Sequence, residues 1–262
     1  IMAGRGWGVI TGAGPGIMEA GNRGAGAENS YGVNIRLPFE AAANGFVDPD
    51  RVVNFKYFFT RKLGFVKESH AFTLFPGGFG TLDESFELLT LIQTGKSDLH
   101  PIILLETEES GYWQPVIDFC ENVLIAQGLI SPEDMNLFQR LHDPKAAADV
   151  ICRFYANYQS QRYVNGRLIL RLLEAPDPAM LARLNRAYVD IITEGEMEVI
   201  EPTPAEVRDE DSLDDARVAL WFDRRHFGRL RMLIDDLNAI VEEPTSVHPP
   251  SPFDEEQADR SW

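Results

Sequence analysis

The feature that most constrains this chain is a run of glycines set between an apolar strand and an apolar helix. Residues 72–75 lead directly into Pro76-Gly77-Gly78-Phe79-Gly80-Thr81-Leu82-Asp83-Glu84, and Phe86, Leu88, Leu89 and Ile92 continue with helical spacing. A short strand that turns through glycines into a helix is the start of a parallel β-α unit. Free N–H groups at the helix start, with the helix dipole behind them, form a cradle for phosphate. The Thr81 hydroxyl can cap that helix and also donate to a phosphate oxygen. The loop contains no lysine, so it is not a Walker A motif and gives no case for ATPase chemistry.

The same alternation extends from residue 7 to residue 158. The pattern predicts strands at 7–10, 31–37, 71–75 and 102–105, and helices at 16–25, 60–69, 81–94, 112–127 and 144–158. Ser131-Pro132 reads as a capped helix start. Short apolar strands separated by helices imply an α/β fold, a Rossmann-like parallel sheet flanked by helices, over residues 1–159. A first glycine cluster, Thr11-Gly12-Ala13-Gly14-Pro15-Gly16-Ile17-Met18, also follows a strand and opens a helix. Its spacing is Gly-x-Gly-x-Gly rather than the dinucleotide fingerprint, and no acid follows near Asn34-Ile35-Arg36-Leu37 to hold a ribose, which disfavours NAD. Alone, this loop is equally compatible with a ligand-free turn. Two such loops at the C-terminal edge of one sheet fit the rule for ligand sites in α/β folds, and the pattern predicts Gly14 and Gly80 on the same edge.

After residue 159 the character changes. Strands at 162–173, 197–201 and 217–222 and helices at 177–193 and 228–241 predict a small α+β domain over residues 160–241, incomplete as a ferredoxin-like unit unless another strand joins it. The acidic stretch 201–215 reads as a loop. Residues 242–262, an acidic, proline-containing tail with few aliphatics, read as disordered.

The net charge of −17 argues against nucleic acid and anionic lipid as partners. The charge is uneven, with sixteen acids against seven basic residues from Glu201 onward, so an anion site in the first part stays open. No apolar run has the length of a membrane span, which predicts a soluble, cytoplasmic protein. Cys120 and Cys152 read as buried thiols in a reducing compartment rather than as a disulfide. The five scattered histidines show no metal-binding spacing, and neither metal nor cofactor is expected. Ile1-Met2-Ala3-Gly4 reads like a helix end entering a strand, which predicts a further strand and helix upstream.

Around the second glycine loop, Glu84 lies three residues after Thr81, on the same helix face. Asp83 has the ordinary reading of a first-turn acid offsetting the helix dipole, and Glu87 that of a solvated helix residue. Arg61 and Lys62 open the preceding helix, where cations oppose the dipole. That conflict points toward a ligand role for one of them, although spacing alone favours a structural role for Arg61.

Pro76-Gly77-Gly78-x-Gly80-Thr81-x-x-Glu84, preceded by Arg61-Lys62, resembles the Lonely Guy family, often labelled lysine decarboxylase-like, which includes cytokinin-activating phosphoribohydrolases. Thr11-Gly12-Ala13-Gly14-Pro15-Gly16-Ile17-Met18 is similar to that family's other glycine loop, with Ala13 replacing a glycine. The resemblance covers roughly residues 8–158, and the chain beyond 159 resembles an extension of longer bacterial members. It implies hydrolysis of the N-glycosidic bond of a nucleoside 5′-monophosphate, of AMP or cytokinin riboside monophosphate type, to free base and ribose 5-phosphate. Arg61 and Glu84 match the catalytic pair. Gly77, Gly78, Gly80 and Thr81 match the phosphate loop, Gly12, Gly14, Gly16 and Met18 match the first loop, and Lys62 falls among the substrate-binding positions. A homodimer or higher homo-oligomer is also implied. Two departures stand out: the family's upstream glycine-serine strand end is absent, and Phe58-Phe59 replace the usual Met-His.

The implied chemistry is coherent. Departure of the base leaves an oxocarbenium-like ribose, which a nearby carboxylate stabilises, and the same carboxylate can hold ribose hydroxyls or orient water. The alternatives are a non-catalytic nucleotide-binding or sensing protein and a molybdopterin-carrier-like protein. True lysine decarboxylation is disfavoured, because no lysine lies in a recognisable pyridoxal phosphate setting.

Overall fold

A computed structural model describes residues 1–35 and 43–241. The tail read at 242–262 and the end of the strand read at 31–37 lie outside the described residues. The chain is α/β, as its strand-helix alternation predicts, and it divides into two compact units. The first comprises Ile1–Thr90, His100–Asp118 and Phe138–Ile151; the second comprises Leu91–Leu99, Phe119–Leu137 and the chain from Cys152 onward.

Helices and parallel strands alternate in the first unit: β1 Val9–Thr11, α1 Ile17–Ala25, β2 Ser30–Ile35, β3 Val52–Phe55, α2 Phe58–Lys67 and β4 Phe72–Leu74. They continue with α3 Phe79–Gln93, β5 Ile102–Leu105, α4 Gln114–Phe119, β6 Phe138–Leu141 and α5 Pro144–Phe154. The strands form two three-stranded parallel sheets, β1-β2-β3 and β4-β5-β6, rather than one continuous sheet. Ile10 is in register with Tyr31, Val33 with Val53, Thr73 with Ile103 and Leu104 with Arg140. The central β5 is buried along its whole length, as an unbroken Ile-Ile-Leu-Leu run demands of a strand covered on both faces.

Two strands, β3 and β6, fall where the sequence pattern predicts none. Both are edge strands carrying polar residues (Asn54; Gln139 and Arg140), so neither shows an apolar run. The helix expected over 112–127 is α4 followed by a π-helical turn, Cys120–Ile125. The stretch after Ser131 is a 3₁₀ helix, Pro132–Leu137, and its cap is inverted: the Asp134 carboxylate accepts the Ser131 N–H at 2.8 Å. The helix expected to run to 158 stops at Phe154. Asn157 then ties the turn down, accepting the Glu174 N–H at 2.7 Å and donating to the Leu237 carbonyl at 3.0 Å.

In the second unit, β7 Tyr158–Val164, β8 Arg167–Leu172, β9 Glu198–Val199 and β10 Ala216–Leu220 form an antiparallel sheet in the order β7-β8-β10-β9. The single strand read at 162–173 is in fact a hairpin. Asn165 and Gly166 both have positive φ (50° and 91°), the backbone a two-residue turn with the strands' own twist requires. This hairpin supplies the strand the ferredoxin-like reading lacked. Helices α6 Pro178–Ala187 and α8 Phe227–Asn238 accompany the sheet. Leu168, Ile169, Leu170, Val218, Leu220, Leu230, Leu233, Ile234 and Leu237 make the core. A side chain at Gly228 would collide with the Glu133 carbonyl, so only glycine lets α8 approach the 3₁₀ helix this closely.

The acidic stretch 201–215 contains a helix, α7 Pro204–Asp209. It starts with a reciprocal capping box, in which Thr203 and Glu206 satisfy each other's backbone N–H groups. Glu206 is fully buried and accepts from Arg171 at 2.9 Å and from Arg217 at 3.2 Å. What reads as a solvated acidic loop is therefore held by internal ion pairs.

Candidate active site

The first glycine loop leaves the C-terminal end of β1 and is braced from beneath. Gly12 and Ala13 are buried, and Ala13 adopts the left-handed conformation, φ 56°. Its N–H donates to the Thr11 hydroxyl oxygen at 2.9 Å, and its carbonyl accepts from the Asn44 N–H at 2.8 Å. The Asn44 amide donates to the Gly14 carbonyl at 3.1 Å and to Asn22 Oδ1 at 3.0 Å, and Asn22 Oδ1 also accepts from the Thr11 hydroxyl at 2.7 Å. Gly16, φ 72°, then turns the chain into α1, and Met18 lies against both Gly12 and Gly14.

Arg61 reaches this loop from α2. Its Nε donates to the Val33 carbonyl at 2.9 Å, and its guanidinium occupies the space beside Gly12 that a Cβ would fill. Helix α2 begins at Phe58, so Arg61 sits one residue past the first three rather than at the helix start, and the conflict with the dipole is smaller than the sequence suggests.

The second glycine loop leaves the C-terminal end of β4. Leu82 N–H bonds to the Gly78 carbonyl at 3.3 Å, so the N–H groups of Phe79, Gly80 and Thr81 precede the helical ladder and project from the end of α3. The Thr81 hydroxyl lies back over Gly77, where a Cβ would strike it. Tyr112 donates its hydroxyl to the Gly77 carbonyl at 2.9 Å.

Glu84 is half-buried in α3, and a Cβ at Gly80 would lie 3.7 Å from its Oε2. Burial raises its carboxyl above the ordinary range, while the charges of Arg61 and then Lys62 draw it partly back. The charge of Arg61 thus acts on Glu84, while its guanidinium lies beside Gly12 of the first glycine loop. Lys62 is differently engaged: its Nζ is held by Asp83 at 2.5 Å and Glu87 at 2.8 Å, which ties α2 to α3 and raises its pKa. Asp83 and Glu87 are therefore ion-pair partners as well as helix acids.

Asn22, Asn44, Tyr112 and Glu106 also shape the two loops and are unmarked by any sequence motif, whereas Thr11 opens the first glycine cluster. A buried asparagine inside the amphipathic α1 is the one signal available beforehand, since buried polar groups are held for their bonds. Phe58, Phe59 (69% exposed) and Leu63 on α2 and Phe79 (94% exposed) at the start of α3 are exposed apolar side chains. Among the described residues, no group of three or more His, Cys, Asp or Glu could hold a metal ion, and no helix is long and apolar enough to cross a membrane.

A family profile described as "Possible lysine decarboxylase" matches residues 14–151, more than half of the chain. A cytokinin riboside 5′-monophosphate phosphoribohydrolase of Arabidopsis thaliana is 40% identical over 72 residues, 28% of this chain and 32% of that protein. A probable enzyme of the same description from Oryza sativa subsp. japonica is 33% identical over 85 residues, 32% of this chain and 33% of the relative. A second rice relative is 30% identical over 93 residues, 36% of this chain and 35% of its own length. The chain spans about a third of the length of the curated relatives it matches.

Proposed function

The chain belongs to the Lonely Guy family, and from that premise we propose that it hydrolyses the N-glycosidic bond of a nucleoside 5′-monophosphate, of AMP or cytokinin riboside monophosphate type. The observation that carries this reading is the placement of Arg61, whose guanidinium lies against Gly12 of one glycine loop while its charge acts on the half-buried Glu84 behind the other. A loop that only bound phosphate would need neither the half-buried carboxylate nor an arginine charge acting on it.

In this reading the N–H groups at the start of α3, with Thr81, hold the 5′-phosphate. As the bond to the base breaks, the ribose becomes oxocarbenium-like, and ionised Glu84 meets the developing positive charge. Water adds at the anomeric carbon and gives up a proton, directly or relayed through Glu84, to the departing base nitrogen, so that free base and ribose 5-phosphate are the two products. Arg61 fixes the Glu84 carboxylate and is itself fixed through Val33. Gly12, Gly14, Gly16 and Met18 shape the wall opposite the phosphate loop.

We place the protein in the cytoplasm as a homodimer or larger homo-oligomer. The two buried free thiols fit a reducing compartment, and the exposed Phe58, Phe59, Leu63 and Phe79 fit contact with a second copy. Incubation with a panel of nucleoside 5′-monophosphates, with chromatography for base and ribose 5-phosphate, tests the reaction. Nucleotide binding without any released base would make the protein a binder instead.

A further inference from the structure

The second glycine loop has a support that no motif marks. Glu106 follows β5 with its side chain fully buried, and it gathers the segment after it: the Tyr112 N–H donates to it at 2.6 Å, the Trp113 N–H at 3.3 Å and Arg140 Nε at 2.6 Å. Burial would raise this carboxyl, but Ser110, Arg140 and the two backbone N–H groups outweigh burial and hold its pKa below the usual value. Trp113, 1% exposed, anchors the segment in the core, and the Tyr112 ring meets it edge-on with centroids 4.9 Å apart. The Tyr112 ring is therefore fixed from its backbone and from one edge, and its hydroxyl ends on the Gly77 carbonyl.

That contact fixes more than one atom. A peptide unit is planar and trans, so the Gly77 carbonyl and the Gly78 N–H point in opposite directions. Glycine on both sides of this peptide leaves its plane free to rotate, because neither residue has a Cβ to restrict it. From this we infer that Tyr112 is a positioning residue: by holding the Gly77 carbonyl, it turns the Gly78 N–H to the face where Phe79, Gly80 and Thr81 N–H groups emerge, and so completes the phosphate cradle. Without the hydroxyl the peptide samples both orientations, and the cradle is correct for only part of the time. Tyr112 touches no reacting atom. This role rests on the phosphate-binding reading of the loop given above.

The variant Tyr112→Phe keeps the ring, the Trp113 contact and the backbone bonds to Glu106, and removes only the hydroxyl. A lost hydrogen bond of this kind corresponds to roughly a threefold to tenfold weakening. The expected result is a KM for the nucleoside 5′-monophosphate raised by that factor with kcat unchanged, because phosphate is held alike in ground and transition states. The corresponding nucleoside, lacking the phosphate, should show no difference between variant and wild type. Affinity for ribose 5-phosphate, measured by calorimetry on the full chain, should fall by the same factor. An unchanged KM and ribose 5-phosphate affinity would overturn the role of Tyr112. Equal losses for nucleotide and nucleoside, accompanied by a lowered Tm, would likewise overturn it, in favour of general destabilisation. If wild type releases no base, the proposed reaction fails, yet ribose 5-phosphate affinity still decides the role of Tyr112.

Discussion

The Arg61 guanidinium fills the volume that a side chain at Gly12 would require, with Met18 Sδ on the same side. This relationship assigns Gly12 a purpose distinct from turning the chain, since the positive-φ position of the loop's first half is Ala13. Gly12→Ala should displace Arg61 from its place beside this glycine, and with it the charge that acts on Glu84, without unfolding the protein. A misplacement of about 1 Å at a catalytic group commonly costs on the order of a hundredfold in rate. The checks are kcat/KM and a thermal melt together. Full activity in Gly12→Ala would show that Arg61 is not needed where the structure places it.

Glu84→Gln should lower kcat by roughly two to three orders of magnitude, about 3–4 kcal/mol, while nucleotide affinity stays near wild type. It should also change stability in a defined direction. The Glu84 pKa is raised in the fold, mainly by burial, so the ionised form is what folding penalises. Glutamine removes that penalty, and the variant should gain stability relative to wild type as pH rises through the carboxylate range. In acid, below the unfolded pKa, the gain should vanish. The wild-type pH–rate profile should lose activity on its acid side at a pH above that of an ordinary glutamate. Denaturation curves at several pH values and the rate profile test both signs, and a stability loss at neutral pH would contradict the assignment.

Thr81→Ala should act on binding rather than on chemistry. Its hydroxyl lies at the start of α3, over Gly77 and among the free N–H groups. We expect KM for the monophosphate to rise, kcat to hold, and any residual hydrolysis of the plain nucleoside to be unaffected. A fall in kcat with unchanged KM would place Thr81 at the reacting bond instead.

Glu206 anchors the second unit through Arg171, Arg217 and its own cap with Thr203. Replacing it by glutamine leaves two buried arginines short of a counter-charge, and loss of one partner in such a pair typically costs roughly 3–5 kcal/mol. Thr203→Ala, which removes only the cap, should cost about 1 kcal/mol. Burial would raise the Glu206 pKa, but the Thr203 N–H and hydroxyl and Arg171 lower it below the ordinary value. Its stabilisation is therefore present above the unfolded carboxylate pKa and is lost as pH falls through the depressed one. Urea denaturation of the two variants at neutral and acid pH checks the order; equal, small effects would mean that the ion pairs contribute little.

The parts legible in the sequence are those whose signal is local. β5 is an unbroken apolar run, and the loops at Gly12 and Gly77 sit between strand and helix patterns, so fold class and candidate residues could be read together. β3 and β6 were not legible because edge strands tolerate polar residues and lack periodicity. The hairpin at Asn165-Gly166 carries a turn signal of its own, but apolar and β-branched residues continue on both sides of it and read as one strand. The braces of the site are of another kind. Asn44 reaches Gly14 across 30 residues and Tyr112 reaches Gly77 across 35, and no local pattern encodes a bond between residues so far apart.

Ala13 carries one last consequence. A residue with a side chain pays of order 1–2 kcal/mol to occupy the left-handed region, and this one does so with the Thr11 hydroxyl on its N–H and the Asn44 N–H on its carbonyl. The bend is thus imposed from outside the residue, and its neighbours have become its specification. A search pattern that insists on glycine here would discard this chain, whereas one that asks for the hydroxyl and the asparagine would retain it. For recognising distant members of such a family, the bonding partners of a turn carry information that the turn's own letters have lost.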